Sequence, residues 1–471
     1  MRRSVWLAAA TLTAALSAAL VFEPAAQAAG FWLPGRGVRP MGRGGAFVAG
    51  VDDLHAVWYN PAGLASLAGE APEVGDARRT RWSMLLDLAL VSNSSTFHRD
   101  AGTVQEQPKV ENGASPQVIP TLGVGHSFSD KLAGAVVLIA PYAGLASFPV
   151  EGPQRYSAVN SDGTIIASLV VGAGYKVGKH LRLGATVQNL FVSYSSQIVI
   201  SSCPSETICA PEDPEFDAVG QIDQTGFFNP TASVGMQVAY PKVRVGLSAQ
   251  LPTWVRASGQ MRVRLPSAAF FDGARMQGDS GETEFTLPPT LRAGVEARPT
   301  PAVRAEVAVD YEMWSMHDEI RVTPDARIED VPAVGTYDLS PQIIKRNCEN
   351  TLAVHAGVAA GLGKQKNISV RGGYAFEQGA PPVEWLSPLT IDTSKHMLTL
   401  GGGWRSASGK LGLDAVFGYV LQPETKVTNS QVRQITGIRQ RDPADPAPPI
   451  VGNGTYTSSW LFFGVGVRYD L

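Results

Sequence analysis

Few residues of this chain have a type and spacing that suit covalent chemistry. Its seven histidines lie at positions 55, 98, 126, 180, 317, 355 and 396, and no two of them have the spacing of metal ligands on one element. The sequence contains no Gly-x-Ser-x-Gly nucleophile turn and no His-Glu-x-x-His zinc motif. We therefore expect no catalysis, no metal and no cofactor, although a catalytic site assembled from distant residues needs no local motif.

The cysteines and the charges are more informative. Cys203 and Cys209 are close enough in sequence to staple a loop with a disulfide in an exported protein, whereas we assign Cys348 no role. The net charge of -3 gives no signal of nucleic-acid binding. Charged residues make up 17% of the chain, against about 25% in soluble domains, and such a deficit suits a protein that faces lipid.

The first residues have the pattern of an export signal. The basic start Met1-Arg2-Arg3 precedes an apolar stretch from Val5 to Phe22, and Ala26-Gln27-Ala28 provides a small-residue cleavage site. An uncleaved membrane helix is the alternative, but the basic start and the cleavage site favour removal of residues 1–28. Beyond Phe22 every apolar run is interrupted within about ten residues, so we predict no membrane-spanning helix in the mature chain.

The C-terminal segment alternates in polarity. Apolar side chains occupy every second position, and the positions between them are mostly small or charged. The apolar set is Leu461, Phe463, Val465, Val467, Tyr469 and Leu471. This period of two predicts a strand with one face on lipid and the other on a polar interior. The segment resembles the signal for the barrel-assembly machinery of the outer membrane, although it ends in Leu; an edge strand of a soluble sandwich is the alternative.

The same alternation recurs along the chain and predicts fourteen strands. They lie near residues 82–97, 117–128, 132–143, 156–177, 181–200, 227–239, 243–263, 284–298, 302–322, 351–362, 368–378, 396–406, 410–423 and 456–471. Short turns such as 129–131 and 240–242 alternate with long polar loops such as 201–226 and 264–283. This asymmetry is typical of outer-membrane barrels and not of sandwiches or propellers. We predict an all-β fold, a 14-stranded antiparallel transmembrane β-barrel over residues 79–471.

Residues 29–78 precede the barrel and make poor strands. They contain a Gly-rich stretch with Gly44 and Gly45, followed by Asn60-Pro61-Ala62. A compact segment exported with a barrel forms either a separate periplasmic piece or a hatch that plugs the lumen. The aromatic and Gly-rich content favours the hatch, because a linker would be more polar.

Several of these motifs, taken in order, resemble one family, the FadL/TodX-type outer-membrane transporters of long-chain fatty acids and aromatic hydrocarbons. The matching segments are Ala29-Gly30-Phe31, Met41 to Gly45, Asp52-Asp53, Asn60-Pro61-Ala62, Leu287 to Glu296, Asp310-Tyr311, Trp314, Arg371 to Tyr374, Asp392, His396, and Leu398 to Trp404. The resemblance covers nearly the whole mature chain. It implies a monomeric barrel in the outer membrane of a Gram-negative cell, closed by an N-terminal hatch.

The resemblance also implies a route. A hydrophobic ligand is caught by apolar outer loops, passed to an inner pocket and released into outer-membrane lipid through a lateral gap where the third strand is kinked. Pro141, Tyr142 and Gly144 are our candidates for that gap, because proline cannot donate to the ladder. A proline that merely ends the strand at the membrane boundary is the alternative.

Two further sets of residues are candidates for ligand contacts. Phe227, Phe228, Phe270 and Phe271 are unusually apolar for solvent loops and are expected to line the capture groove, with ordinary loop packing as the alternative. Arg36, Arg39 and Arg43 are candidate partners of a fatty-acid carboxylate, unless they only aid solubility.

The expected function is therefore outer-membrane transport of hydrophobic compounds, foremost long-chain fatty acids. An aromatic-hydrocarbon channel of the same family and a general diffusion porin are the alternatives. A barrel enzyme such as a lipase and an adhesion barrel are more distant rivals.

Overall fold

The computed structural model describes residues 36–68, 82–100, 107–204, 208–210, 212–332, 335–363, 365–389, 391–436 and 447–471. The predicted export signal, residues 1–28, lies outside the described residues. Among the helices of the described ranges, none is long and apolar enough to cross a bilayer.

The described residues form twenty strands. They are β1 (Trp82–Arg99), β2 (Val110–Glu111), β3 (Gln117–Ser127), β4 (Leu132–Ala143), β5 (Ile165–Lys176), β6 (Leu181–Ser201), β7 (Asp217–Ala239), β8 (Val243–Gln250), β9 (Thr253–Arg264), β10 (Arg275–Leu287), β11 (Thr290–Thr300), β12 (Val303–Glu312), β13 (Glu319–Val331), β14 (Gly335–Asp338), β15 (Gln342–Lys345), β16 (Thr351–Leu362), β17 (Ile368–Glu377), β18 (Lys395–Arg405), β19 (Leu411–Val427) and β20 (Gly454–Asp470).

Fourteen of these strands, all except β2, β9, β10, β13, β14 and β15, close into one antiparallel ring. The ring closes where β20 pairs with β1, from Ser83 opposite Asp470 to Arg99 opposite Gly454. Leu86 and Phe463 point outward with exposed fractions of 45% and 52%, whereas the inward Asp87 is buried. Apolar side chains outside and polar ones inside are the arrangement of a membrane barrel. The predicted fold class is confirmed.

Three strands predicted as continuous are each divided in two. β8 and β9 separate at Leu251-Pro252, and β10 and β11 separate at Pro288-Pro289, because proline cannot donate to a ladder. A short 3-10 helix, Trp314–Met316, separates β12 from β13. The outer halves β9, β10 and β13 pair with one another in the order β9-β10-β13, so they extend the wall beyond the ring on the long-loop side.

The start of three strands also differs from the prediction. β10 begins at Arg275 rather than near residue 284, because its outer part pairs with β13. β5 begins at Ile165 rather than near residue 156, because residues 151–157 form turns. β7 begins at Asp217 rather than near residue 227, because its outer part pairs with both β6 and β9. The long polar loops are thus partly strand.

The described part of the predicted hatch, residues 36–68, lies inside the ring. It contains two single-turn helices, α1 (Val38–Met41) and α2 (Ala56–Tyr59), followed by a 3-10 helix, Pro61–Leu67. All residues of these three helices are buried. The predicted position of the hatch in the lumen is confirmed, while its limits at residues 29 and 78 lie outside the described residues.

Glycines of the wall give the hatch its room. Six of them lie so close to the hatch that a Cβ atom would overlap its backbone or Asn60: Gly174, Gly184, Gly235, Gly246, Gly357 and Gly373. At Gly184 the neighbour is the backbone of Pro61 and Ala62, which cannot move like a flexible side-chain end. The hatch therefore fits the short-turn half of the lumen by direct contact of backbone with backbone.

We expect Gly184→Val to displace the hatch. The added atoms meet the Pro61 backbone, and overpacking of this kind costs about 1–3 kcal/mol. The variant should have a lower melting temperature in detergent and a higher conductance in planar bilayers. Gly402→Val is the matched control, because a Cβ at this strand glycine meets nothing within 4 Å. Equal behaviour of the two variants would show that the hatch does not press on β6.

Candidate functional site

A network of buried charges holds the hatch to the wall. Arg43 lies 3.1 Å from both Glu296 and Glu306, and all three side chains are at most 1% exposed. The Glu306 carboxylate also accepts hydrogen bonds from three consecutive hatch amides, those of Val48, Ala49 and Gly50. These contacts satisfy main-chain amides in the middle of a segment that has little secondary structure of its own.

A second group of charges continues the first through Arg304, which lies 2.9 Å from Glu296 and 2.9 Å from Asp52. Arg39 pairs with Asp52 at 2.8 Å and with Asp53 at 2.5 Å. His55 bridges Asp53 and the wall residue Asp87, at 2.9 Å from each. These carboxylates outweigh the effect of burial and raise the pKa of His55 to about 10, so the imidazolium is charged at neutral pH.

The predicted hatch residues occupy this framework. The Asn60 side chain donates to the carbonyls of Val48 and Met236, each at 3.0 Å, and so ties the hatch to β7. Its carbonyl oxygen caps the 3-10 helix that begins at Pro61 by accepting from the Ala62 amide. Gly44 and Gly45 have positive φ values of 63° and 80°, where glycine carries no steric penalty.

The three arginines predicted to receive a ligand carboxylate separate into two groups. Arg39 and Arg43 are committed to protein carboxylates within the hatch framework, which corrects the prediction for these two residues. Arg36 lies instead at the edge of the lumen, 5.3 Å from the ring centre of Trp58 and 5.9 Å from that of Tyr142.

Two cavities lie on the long-loop side of the hatch. The hatch-side cavity is lined by Arg36, Met41, Gly45, Trp58 and Tyr59 from the hatch and by Asp310, Glu312, Ala353, His355, Glu377 and Met397 from the wall. The loop-side cavity is lined by Asn93, Ser95, residues 143–146, Pro388, Leu389, Ile391, Asp392, Lys395, Gln422, Ser458 and Trp460. Both combine apolar surface with a few charged groups, as small-molecule sites do.

Lys395 is the cation of the loop-side cavity. Its ammonium group lies 3.0 Å from Glu377 and 3.0 Å from Asp392. Burial raises the pKa of Asp392, which lies in the segment before β18, to about 8. Asp392 therefore binds a proton more readily than an exposed aspartate does, and Glu377 is the second carboxyl group in contact with Lys395.

The wall is interrupted beside these cavities, at β4, the third strand of the ring. Pairing of β3 with β4 stops at Thr121 opposite Ile139, and the β4–β5 register shifts between Ile139 and Tyr142. Pro141 lies within that shift, and residues 139–146 are all buried, which ends the alternation seen earlier in the strand. The strand therefore bends into the lumen where Pro141, Tyr142 and Gly144 were predicted to break it.

A buried arginine that the sequence gave no reason to select lies deeper in the outer half of the lumen. Arg346 is 2% exposed, and its Nε and Nη2 atoms have no hydrogen-bond partner among the described residues. Burial and the Arg346 charge together lower the pKa of the neighbouring His317 to about 4, so His317 is neutral. A guanidinium held in this way has strong unused capacity to donate hydrogen bonds to an anion.

Arg346 interacts with Tyr194, His317, Cys348 and the acidic Asp392, and aromatic and apolar side chains pack around His317. Phe285 lies edge-on to His317 at 5.8 Å, and Trp314 lies edge-on to it at 5.7 Å. The same buried cluster continues through Val192, Tyr194, Ile222, Val255, Met261, Leu287, Ile320, Val322 and Cys348. We call Arg346, His317, Tyr194, Phe285 and Trp314 the upper site.

The four phenylalanines predicted to share a groove do not meet. Phe227 and Phe228 lie in β7 rather than in a loop, and both point outward with exposed fractions of 73% and 79% because a bulge interrupts the register there. Phe271 packs on Phe216 at the outer end of β7 and on Phe270. Phe216 and Phe227 are separated by a length of strand on the order of 35 Å. One groove therefore cannot hold both pairs.

The loop that carries Phe270 and Phe271 packs beside the predicted disulfide. Cys203 and Cys209 are bonded and belong to the same apolar cluster as Phe216 and Phe271. Cys348 is a free, buried thiol, and burial raises its pKa to about 12, so it is unreactive as a nucleophile. No group of metal-ligating side chains is found within the described ranges.

Sequence reasoning missed Arg346 and Lys395 as site residues. Arg346 lies within a polar loop of the sequence, and nothing in its neighbours distinguishes it from a solvated loop charge. The sequence gave a weak indication of Lys395, because it lies next to the start of a predicted strand and three residues after the acidic Asp392. Only the fold shows that both ammonium and guanidinium groups turn inward.

Comparison with known proteins gives one family and one fold. Residues 19–470 match the family model described as outer membrane protein transport protein (OMPP1/FadL/TodX). A FadL homologue from Pseudomonas aeruginosa has a TM-score of 0.71 at 15% identity, over 94% of this chain and 100% of that chain. The toluene transporter TodX from Pseudomonas putida has a TM-score of 0.62 at 12% identity, over 95% and 99%. The toluene transporter TbuX from Ralstonia pickettii has a TM-score of 0.58 at 14% identity, over 92% and 98%. No curated protein sequence matches the chain.

We expect Arg43→Met to loosen the hatch. Glu306 would lose its ionic partner while buried, and breaking a buried pair in this way costs about 3–5 kcal/mol. Urea unfolding in detergent should show this loss, and planar bilayers should show a higher conductance. Arg256→Met is the control, because this 69% exposed arginine pairs with Glu282 and Glu284 at the surface, where a pair contributes about 1 kcal/mol or less. A stability loss no larger than that of the control would contradict the role of Arg43.

Proposed function

Because the chain belongs to the OMPP1/FadL/TodX family of outer-membrane transport proteins, we propose that its ligands are long-chain fatty acids, released sideways at the bend in β4. The family transports hydrophobic compounds through a barrel in the outer membrane, and its members are transport channels rather than enzymes. The choice of a fatty acid rests on the chemistry of the upper site.

Arg346 is the observation that carries this choice. Two nitrogen atoms of its buried guanidinium, Nε and Nη2, have no hydrogen-bond partner among the described residues, and a ligand carboxylate would satisfy them with charge-assisted hydrogen bonds. A neutral hydrocarbon offers the guanidinium no such partner. The apolar side chains around the upper site, including Val192, Ile222 and Val322, suit the alkyl chain of the same molecule.

The bend in β4 supports lateral release. Main-chain groups of a strand can part from a neighbour in lipid only where other contacts replace the ladder. Here residues 140–143 leave β3 and turn into the lumen, where residues 143–146 line the loop-side cavity. A ligand in that cavity lies beside the one place in the β3–β4 pairing that is open, and its alkyl chain need not re-enter water.

Uptake of aromatic hydrocarbons is the second candidate. Trp58 and Tyr59 line the hatch-side cavity, Tyr142 packs on Trp58 at 6.2 Å, and two of the solved structures with this fold are named toluene transporters. A general diffusion porin has less support, because the described hatch residues fill the short-turn half of the lumen.

Uptake measurements with the intact protein test the choice of ligand. Cells carrying the wild type should accumulate labelled palmitate, and Arg346→Met should reduce palmitate affinity about tenfold or more, which corresponds to loss of one charge-assisted contact of about 1.5–3 kcal/mol. Arg346→Lys should restore part of it. Toluene uptake should be insensitive to both substitutions. If the wild type takes up toluene but not palmitate, the protein transports aromatic hydrocarbons instead.

A bulky residue at the bend tests the exit. Ala143→Trp places an indole where β4 enters the loop-side cavity, so palmitate should still bind purified protein while its uptake by cells falls several-fold. Gly402→Trp is the control, since this position has no neighbour within 4 Å of a Cβ. Unchanged uptake by Ala143→Trp would mean that the ligand leaves elsewhere.

A further inference from the structure

The ion pair of Lys395 with Glu377 lies between the two cavities. Lys395 lines the loop-side cavity, Glu377 lines the hatch-side cavity, and their charged groups meet at 3.0 Å. Both side chains are largely buried, at 3% and 9% exposed. A ligand that moves between the loop-side cavity and the hatch-side cavity meets this pair.

The pair has a second arrangement available to it. Glu377 shares the hatch-side cavity with Arg36 and lies within electrostatic reach of its guanidinium. If Glu377 turned from Lys395 toward Arg36, it would share that guanidinium with Glu312, and part of its charge would remain compensated in the interior. Lys395 would then keep Asp392, at 3.0 Å, as its protein partner. Neither side chain would be left as an uncompensated buried ion, which is what makes most buried pairs hard to open.

We propose that Lys395 and Glu377 form a gate that an anionic headgroup opens by exchange: the ligand carboxylate replaces Glu377 at Lys395, and Glu377 turns to Arg36. No covalent bond changes in this step, and charge is balanced throughout, because one carboxylate replaces another at the ammonium group. The proposal rests on the proposed function and adds a selectivity step to it.

The state of Asp392 suits this exchange. Burial raises the pKa of Asp392 to about 8, so a proton on Asp392 is favoured and its attraction for Lys395 as an anion is weakened. Glu377, Arg346 and Lys395 are the charged groups that face it. Asp392 therefore holds Lys395 less tightly than an ionised aspartate would, and Glu377, at 3.0 Å, is the carboxyl group that the headgroup exchanges with.

The gate lies close to the bend in β4, where we propose that the ligand leaves. The loop-side cavity is lined by residues 143–146 just after the bend in β4, and Arg36 on the other side of the gate lies 5.9 Å from the ring of Tyr142 within the bend. A headgroup held at Lys395 or Arg36 therefore leaves the alkyl chain beside the opening. A neutral molecule of the same shape has no means to separate the pair.

Two substitutions should act in opposite directions if the exchange occurs. Lys395→Met removes the group that receives the carboxylate and should lower palmitate affinity and uptake about tenfold. Glu377→Gln removes the competing carboxylate. It should raise palmitate affinity several-fold, because the ligand no longer has to break the ionic contact between Glu377 and Lys395. Binding is measured on purified full-length protein with labelled palmitate, and uptake is measured in cells.

Hexadecanol is the matched probe, because it has the same alkyl chain without the charge. Its uptake should increase in both variants, because the pair that a neutral molecule cannot separate is then absent. In the double variant Lys395→Met, Glu377→Gln neither position carries a charge, so it lacks the uncompensated Glu377 carboxylate that could unfold Lys395→Met. This variant should take up hexadecanol and discriminate little between the alcohol and the acid. Lys395→Arg should restore palmitate selectivity.

The outcomes separate the gate from the proposed function. A wild type that takes up palmitate while all variants keep the same ratio of palmitate to hexadecanol uptake would overturn the gate alone. Parallel losses of both probes in Lys395→Met and in the double variant would overturn it too, since they would indicate a purely structural pair. A wild type that takes up no palmitate would overturn the proposed function itself.

Discussion

Main-chain polar groups of a protein in lipid must find their hydrogen-bond partners within the protein itself, and the rest of this structure depends on that requirement. It is met by closing fourteen strands into a ring through the pairing of β20 with β1. A ring of this size has consequences for its interior, because about eight strands are the number whose own side chains fill the lumen. The larger ring needs a hatch, and the hatch needs partners for a backbone that has little helix or strand. Glu306 supplies them by accepting from three successive amides.

The same requirement restricts where a ligand can leave sideways. A gap in the wall exposes unpaired main-chain groups unless the strand turns away from lipid. β4 meets this condition, since residues 139–146 are buried rather than alternating. Pro141 helps, because it has no N–H group to leave unsatisfied within the register shift. The bend is therefore compatible with a stable barrel, and it directs the following residues to the cavity that they line.

The fold was open to prediction because its rules are local and periodic. Residues 461–471 alternate in polarity to the end of the chain, and the structure places Leu461, Phe463 and Val465 on the outer face. Two of the three divisions were missed because Pro252 and Pro288 interrupt segments that remain apolar on both sides, and the third is the 3-10 helix Trp314–Met316. The site was harder to predict. Arg39, Arg43 and Arg346 are chemically equal in the sequence, and only long-range contacts decide that two of them meet carboxylates of the protein. Phe227 and Phe228 show the same limit, since a single bulge in β7 turns both side chains outward.

A uniformly apolar channel does not suit an amphipathic ligand. Burial of its carboxylate without a partner would cost free energy, as burial of an unpaired arginine does. The cations of this lumen are spaced so that the cost need not arise. Arg346 stands in the upper site, Lys395 in the loop-side cavity and Arg36 beside the hatch, and Asp392, Glu377 and Glu312 lie between or next to them. Each cation has an acidic neighbour that keeps it from holding an anion too tightly. A headgroup can therefore exchange from one cation to the next while the alkyl chain stays on apolar surface, and the last of these cations lies against the bend in the wall.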